Sequence, residues 1–169
     1  VIVSTPDHMH AAAAIASMKL GKHVYVEKPL THNIYEARKL TEAARQYNVI
    51  TQMGNQGNSS DDIRRICEWV WAGTIGEITS INAIEGVGPF HQAHSYVRGH
   101  WSVSGKSSPM IIAKSCHDMD IISWLVDSKC EQVASFGSLS YFNSEHAPDG
   151  APARCTDRCP VALDCPYDA

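Results

Sequence analysis

Apolar residues fall along this chain in short runs divided by polar turns, and over residues 1–60 the runs switch repeatedly between two periods. Val1-Ile2-Val3 is a continuous apolar run, which predicts a buried strand over residues 1–4. Pro6-Asp7 then offers a turn and an N-cap, and residues 8–20 predict an alanine-rich helix stopped by Gly21. Residues 23–26 predict the next strand. Over residues 33–47 a second helix is predicted, with Asn33 and Glu36 spaced as a capping box and Ile34, Ala37, Leu40 and Ala44 in one apolar stripe. A third strand over residues 49–53 runs into Gly54-Asn55-Gln56-Gly57-Asn58-Ser59-Ser60, a composition that belongs to a loop. Strands alternating with helices in this way are the signature of βαβ units on a parallel sheet, and ligands sit at the C-terminal ends of such strands.

Beyond this loop the pattern changes. Residues 61–72 predict a helix ended by Gly73, and residues 77–85 alternate like a strand that starts a different sheet. Residues 86–109 lose periodicity and turn rich in Gly, His, Ser and aromatic side chains, the mark of a long functional loop. Residues 110–126 predict one helix carrying His117, Asp118 and Asp120, followed by an extended segment over residues 132–142. The expected organisation is a parallel α/β piece over residues 1–58, an α+β piece over 59–142 and an irregular Cys/Pro-rich tail over 143–169.

Composition narrows the class. In 169 residues, 44% are hydrophobic and 19% charged, which excludes intrinsic disorder and coiled coil. With 14 Lys plus Arg against 18 Asp plus Glu, the net charge of −4 supplies no basic surface for phosphates, so no nucleic-acid partner is expected. No apolar run approaches the roughly 18 residues a membrane-spanning helix needs, so no membrane partner is expected either. The chain opens on Val1 in mid-strand and is expected to be a piece of a longer protein, with any export signal upstream of it; without one the default compartment is the cytoplasm.

Glu27-Lys28-Pro29 is the sharpest local signal. It follows a predicted buried strand, and the proline biases the residue before it toward extended geometry, which aims Lys28 out of the C-terminal edge of the sheet. Taken alone, the pair reads either as a functional group or as a surface salt bridge. In the loop of residues 90–106, Arg98 and Trp101 suit a sugar-binding platform, while His91, His94 and His100 are spaced too irregularly for a metal set, and no metal is expected there. Cys67, Cys116 and Cys130 read as single thiols. Cys155, Cys159 and Cys165 cluster as Cys-x3-Cys-x5-Cys, open to thiols, disulfides or a zinc site completed by His146.

Three segments, Val3-Ser4-Thr5-Pro6-Asp7-His8-Met9-His10, Gly21-Lys22-His23-Val24-Tyr25-Val26-Glu27-Lys28-Pro29-Leu30 and Ala72-Gly73-Thr74-Ile75-Gly76-Glu77-Ile78, resemble the Gfo/Idh/MocA oxidoreductase family in order and interval, over residues 1–142. The resemblance implies the C-terminal part of a Rossmann NAD(P)-binding domain followed by part of an α+β domain with an open antiparallel sheet. It also implies that the glycine-rich pyrophosphate turn and the residue that reads the adenosine ribose lie upstream, so this piece alone is expected to bind no dinucleotide tightly, and the choice between NAD and NADP is set elsewhere.

For the nicotinamide half, the resemblance implies that Ser4, Thr5 and Pro6 line the cofactor, that His10 opens the helix beneath it, and that Glu27 reaches the nicotinamide ribose. Lys28 takes the place of the family's catalytic lysine. A lysine that sheds its proton can act as a base, and one that stays charged can stabilise an alkoxide. Gln56 falls on the family's loop asparagine, while the loop's arginines fall on Gly57 and Asn58. In the family's Asp-x-x-x-His pattern the His falls on His117, implied as acid/base, whereas the Asp is replaced by Ala113, with Lys114 beside it free to hold a substrate carboxylate or hydroxyl. The activity implied is hydride transfer between nicotinamide and a secondary alcohol of a sugar or cyclitol, in a homo-oligomer built through the C-terminal sheet. Two alternatives remain at this point. Leu30-Thr31-His32-Asn33 and Gln52-Met53-Gly54-Asn55-Gln56-Gly57 resemble the NAD-dependent glycosidases of glycoside hydrolase family 109, which oxidise transiently and eliminate. The other alternative is a non-catalytic sugar or cofactor sensor.

Overall fold

A computed structural model describes residues 1–103 and 105–168. The chain forms two compact units, Val1–Glu85 with Ser104–Cys130, and Gly86–Val103 with Glu131–Ala169. In the first, strands β1 (Ile2–Val3), β2 (Val24–Glu27) and β3 (Thr51–Gly54) make a parallel three-stranded sheet in the order β1-β2-β3. The register sets Val3 beside Val26, Val26 beside Met53 and Glu27 beside Gly54.

Helices α1 (His10–Lys19) and α2 (Ile34–Gln46) cover one face of this sheet. Alternation along β2 sends Val24 and Val26 into that layer, where they pack with Val3, Ala14, Met18, Leu40 and Ala43. Full burial of a side chain such as Met18 or Val26 contributes about 1.5–3 kcal/mol. The same alternation turns Ile2 to the opposite face, where it is 76% exposed.

The helix ends follow their sequence signals. Asn33 caps α2 by accepting from Glu36 N at 3.0 Å, and Glu36 Oε2 accepts from His32 N at 3.0 Å, one residue before the cap. At the end of α1, Gly21 N donates to Met18 O at 2.8 Å and Lys22 N to Ser17 O at 3.1 Å, the Schellman arrangement. Helix α3 (Asp61–Trp71) closes the same way through Gly73, whose φ is +79°. A Cβ on Gly73 would meet nothing within 4 Å, so Gly73→Ala tests backbone strain alone and is expected to destabilise the unit by about 1 kcal/mol, read as a lower urea midpoint at unchanged slope.

Several predicted elements are corrected. Asp7 does not cap α1; the residues ahead of it form a 3₁₀ turn, Asp7–Met9, and the helix starts at His10. The loop after β3 contains a second 3₁₀ turn, Gln56–Ser59. Residues 77–85 and 132–142, expected as strands, form none: the strands of the described residues are β1, β2 and β3. The long loop contains a helical turn, α4 (Pro89–His91), which runs into a π-helical turn, Gln92–Val97.

The helix expected over residues 110–126 is two helices, α5 (Met110–Ala113) and α6 (Cys116–Val126). The break has a visible cause. In an unbroken helix the Ala113 carbonyl would accept from His117 N; here it accepts from Lys28 Nζ at 3.0 Å, and His117 N turns to Lys114 O at 3.4 Å. Helix α6 packs on α3 through Trp71, whose Nε1 donates to Leu125 O at 3.2 Å and whose ring meets Trp124 edge-on at 5.7 Å.

Candidate functional site

The turns that follow β1, β2 and β3 carry Ser4-Thr5-Pro6, Lys28-Pro29 and Asn55-Gln56-Gly57-Asn58, so the parallel strands deliver all of them to one edge of the sheet. His10, 1% exposed, joins the first two turns: its Nε2 lies 2.7 Å from Thr5 O and its Nδ1 2.7 Å from Pro29 O. The carbonyl after Lys28 is thereby held one imidazole width from the threonine-proline turn. The Lys28–Pro29 bond is cis.

Lys28 forms no surface salt bridge with Glu27. Its ammonium donates to the Ala113 carbonyl at 3.0 Å. Lys114 follows directly, half-buried; burial first, and the charge of Lys28 second, lower its affinity for a proton, while Glu85 and Cys116 oppose them. Burial pushes the half-buried Cys116 thiol up, with the positive charge of Lys28 working against it. Cys116 is accordingly expected to react more slowly with iodoacetamide at neutral pH than the exposed Cys130, measured by peptide mass spectrometry.

Further contacts tie α5 and α6 to the sheet edge. Asp7 is 4% exposed and its Oδ2 accepts from Ser108 N at 3.1 Å, just ahead of α5. Asp120 Oδ2, on α6, accepts from Asn55 Nδ2 at 2.7 Å and also from Asn58 Nδ2. Sequence reasoning passed over Asp7, Asn55 and Asn58 as site-building residues. The available signal was a run of short polar side chains directly after each strand, which is where a buried carboxylate or amide is affordable only if it has partners.

Of the residues expected in the site, Thr5, Pro6, His10, Glu27, Lys28, Lys114 and His117 all belong to the first unit. Ser4 and Gln56 do too, and are exposed; it is Asn55, not Gln56, that turns inward, with its Oδ1 buried and unpartnered. Gly54 lies opposite Glu27, and a Cβ there would stand 3.1 Å from Glu27 Oε1 and 2.8 Å from the Tyr25 hydroxyl, so glycine keeps the edge of the sheet open for the glutamate. His117 is half-buried on the first turn of α6.

Arg98 and Trp101 belong to the second unit. There Arg98 donates to Cys155 Sγ at 2.8 Å and lies 3.1 Å from His94 Nε2, while Trp101 packs against Tyr96 at 6.1 Å and His100 at 5.9 Å. Cys155, Cys159 and Cys165 stand as thiols. Among the described residues no group of three or more His, Cys, Asp or Glu side chains is arranged to hold a metal ion, and no helix is long and apolar enough to cross a membrane.

The first unit is thus a parallel βαβαβ layer that presents a threonine-proline turn, a glutamate-lysine pair and an amide loop at one edge of its sheet. The family model described as oxidoreductase family, NAD-binding Rossmann fold, matches residues 1–55, and that described as its C-terminal alpha/beta domain matches residues 68–164. The chain belongs to the Gfo/Idh/MocA oxidoreductase family. It is 27% identical over 139 residues to myo-inositol 2-dehydrogenase of Thermotoga maritima, covering 82% of this chain and 39% of that protein. It is 25% identical over 137 residues to 2,7-anhydro-N-acetylneuraminate hydratase of Escherichia coli, covering 81% of this chain and 36% of that one. Among solved structures, scyllo-inositol dehydrogenase from Lactobacillus casei with bound NAD(H) and scyllo-inositol matches with a TM-score of 0.60 and 27% identity, over 75% of this chain and 37% of that chain. The chain spans about two fifths of the length of the curated relatives it matches.

Proposed function

We propose that the full-length protein is an NAD(P)-dependent oxidoreductase acting on a secondary alcohol of a sugar or cyclitol, with Lys28 handling the hydroxyl proton and His117 assisting. The observation that carries this reading is the placement of Lys28: its amine is seated on a main-chain carbonyl at the end of β2, and His10 ties the turn it belongs to to the Thr5-Pro6 turn. The residues present fit a nicotinamide nucleotide. The Ser4-Thr5-Pro6 turn is open, Glu27 has room opposite Gly54, and Asn55 Oδ1 is a buried acceptor with no partner among the described residues.

When bound, the cofactor supplies or accepts the hydride. The chain's own groups do the rest. Glu27 would accept hydrogen bonds from the ribose hydroxyls of the nucleotide. Lys28 accepts the alcohol proton in one direction and returns it in the other; when charged, its ammonium stabilises the developing alkoxide. His117, on the first turn of α6 three residues after Lys114, assists as the second acid/base group of this reading.

The test is to incubate the full-length protein with NAD or NADP and myo-inositol, scyllo-inositol, glucose or galactose, and to follow the nicotinamide absorbance. Reduction of cofactor by at least one polyol is expected. Cofactor binding without hydride transfer from any of them, or to their oxidised forms in reverse, overturns the reading. Release of an aglycone from a glycoside with no net reduced cofactor would instead favour transient oxidation and elimination.

A further inference from the structure

We infer that the substrate of this site carries a carboxylate, which Lys114 holds while Lys28 faces the reacting alcohol carbon. The inference rests on the hydride-transfer reading above and names its substrate class. Its basis is the way the lysines are brought together. The Ala113 carbonyl that seats the Lys28 ammonium belongs to the peptide that leads into Lys114, at the break between α5 and α6. Both side chains are half-buried. Among the described residues, no carboxylate lies within ion-pair distance of either: the pairs found are Lys39 with Glu42 and His8 with Asp7. Glu85 acts on Lys114 only from farther away.

Two like charges brought together at a partly dry edge repel one another and lose hydration, and a ligand of opposite charge relieves both costs. A neutral polyol offers lone pairs but no charge. Ala113 adds no carboxylate of its own and Glu85 acts from beyond ion-pair distance, so the close negative partner is left to the ligand. One lysine is committed to the reacting hydroxyl, which leaves a single positive charge for a single negative one. This matches a carboxylate and leaves a phosphate dianion over-charged.

The experiment is calorimetry on the full-length protein saturated with reduced nicotinamide cofactor, titrated with glucuronate, galacturonate, glucose, galactose and glucose 6-phosphate. A uronate is expected to bind roughly ten- to a hundred-fold more tightly than its parent hexose, the range a charge-assisted hydrogen bond supplies. Lys114→Met is expected to abolish that preference, and Lys114→Arg, which keeps the charge, to retain it. Retention in the Arg variant separates loss of a charge from loss of the fold. A hexose bound as tightly as its uronate, a preference that survives Lys114→Met, tighter binding of the sugar phosphate than of either uronate, or no binding of any uronate each overturn the inference. The hydride-transfer reading falls separately, on the absorbance assay with neutral polyols.

Discussion

Lys28→Met in the full-length protein is expected to lower kcat for hydride transfer about 100- to 10,000-fold, the range that removal of a positioned proton-transfer group produces. Methionine keeps the apolar stem and removes the amine. It also frees the Ala113 carbonyl, which can return to His117 N and mend the break between α5 and α6. Stability should therefore change little while activity collapses. Lys28→Arg is the sharper companion, because a guanidinium can still donate to the Ala113 carbonyl but does not give up its proton. A lysine that only seats the helix break would be replaced well by arginine; a lysine that moves a proton would not. Stopped-flow transfer rates for both variants decide between them, and near-normal turnover in the Arg variant would remove Lys28 from the chemistry.

The largest loss of stability is expected at His10. Its ring is 1% exposed and stands between the carbonyls of Thr5 and Pro29 at 2.7 Å each. His10→Leu fills most of the volume but removes the ring's N–H donor, and a buried carbonyl left unsatisfied costs about 1–3 kcal/mol. A loss of about 1–3 kcal/mol is expected, read as a shift in the urea midpoint. Because the same ring spaces the threonine-proline turn from the lysine turn, His10→Gln, which restores one donor, should recover part of the stability yet still raise the apparent KM for the nicotinamide cofactor. Unchanged cofactor KM in a folded His10→Gln protein would show that the spacing of the turns is immaterial to binding.

The parallel layer was legible because each of its elements is announced locally. Val24 and Val26 alternate with Tyr25 and Glu27, Asn33 sits three residues before Glu36, and Gly21 and Gly73 follow their helices where a left-handed residue is needed. Residues 77–85 and 132–142 were misread because alternation reports two unlike faces and not the presence of a neighbouring strand. The division of 110–126 into α5 and α6 was illegible for another reason: what interrupts the helix is a lysine 85 positions earlier, acting on a carbonyl that every residue type possesses. Glu27 and Lys28 could be singled out from their position after a strand, and His10 through the family resemblance. The grip of Asn55 and Asn58 on Asp120 could not, since their separations of 65 and 62 residues belong to tertiary structure.

The oxygen that receives Lys28 belongs to the main chain, and it is therefore inherited with the bend in the backbone and not with any one side chain. Position 113 can drift among small residues without dislodging the amine. A lineage built on this arrangement is free to alter that side chain while leaving the seat of the amine untouched.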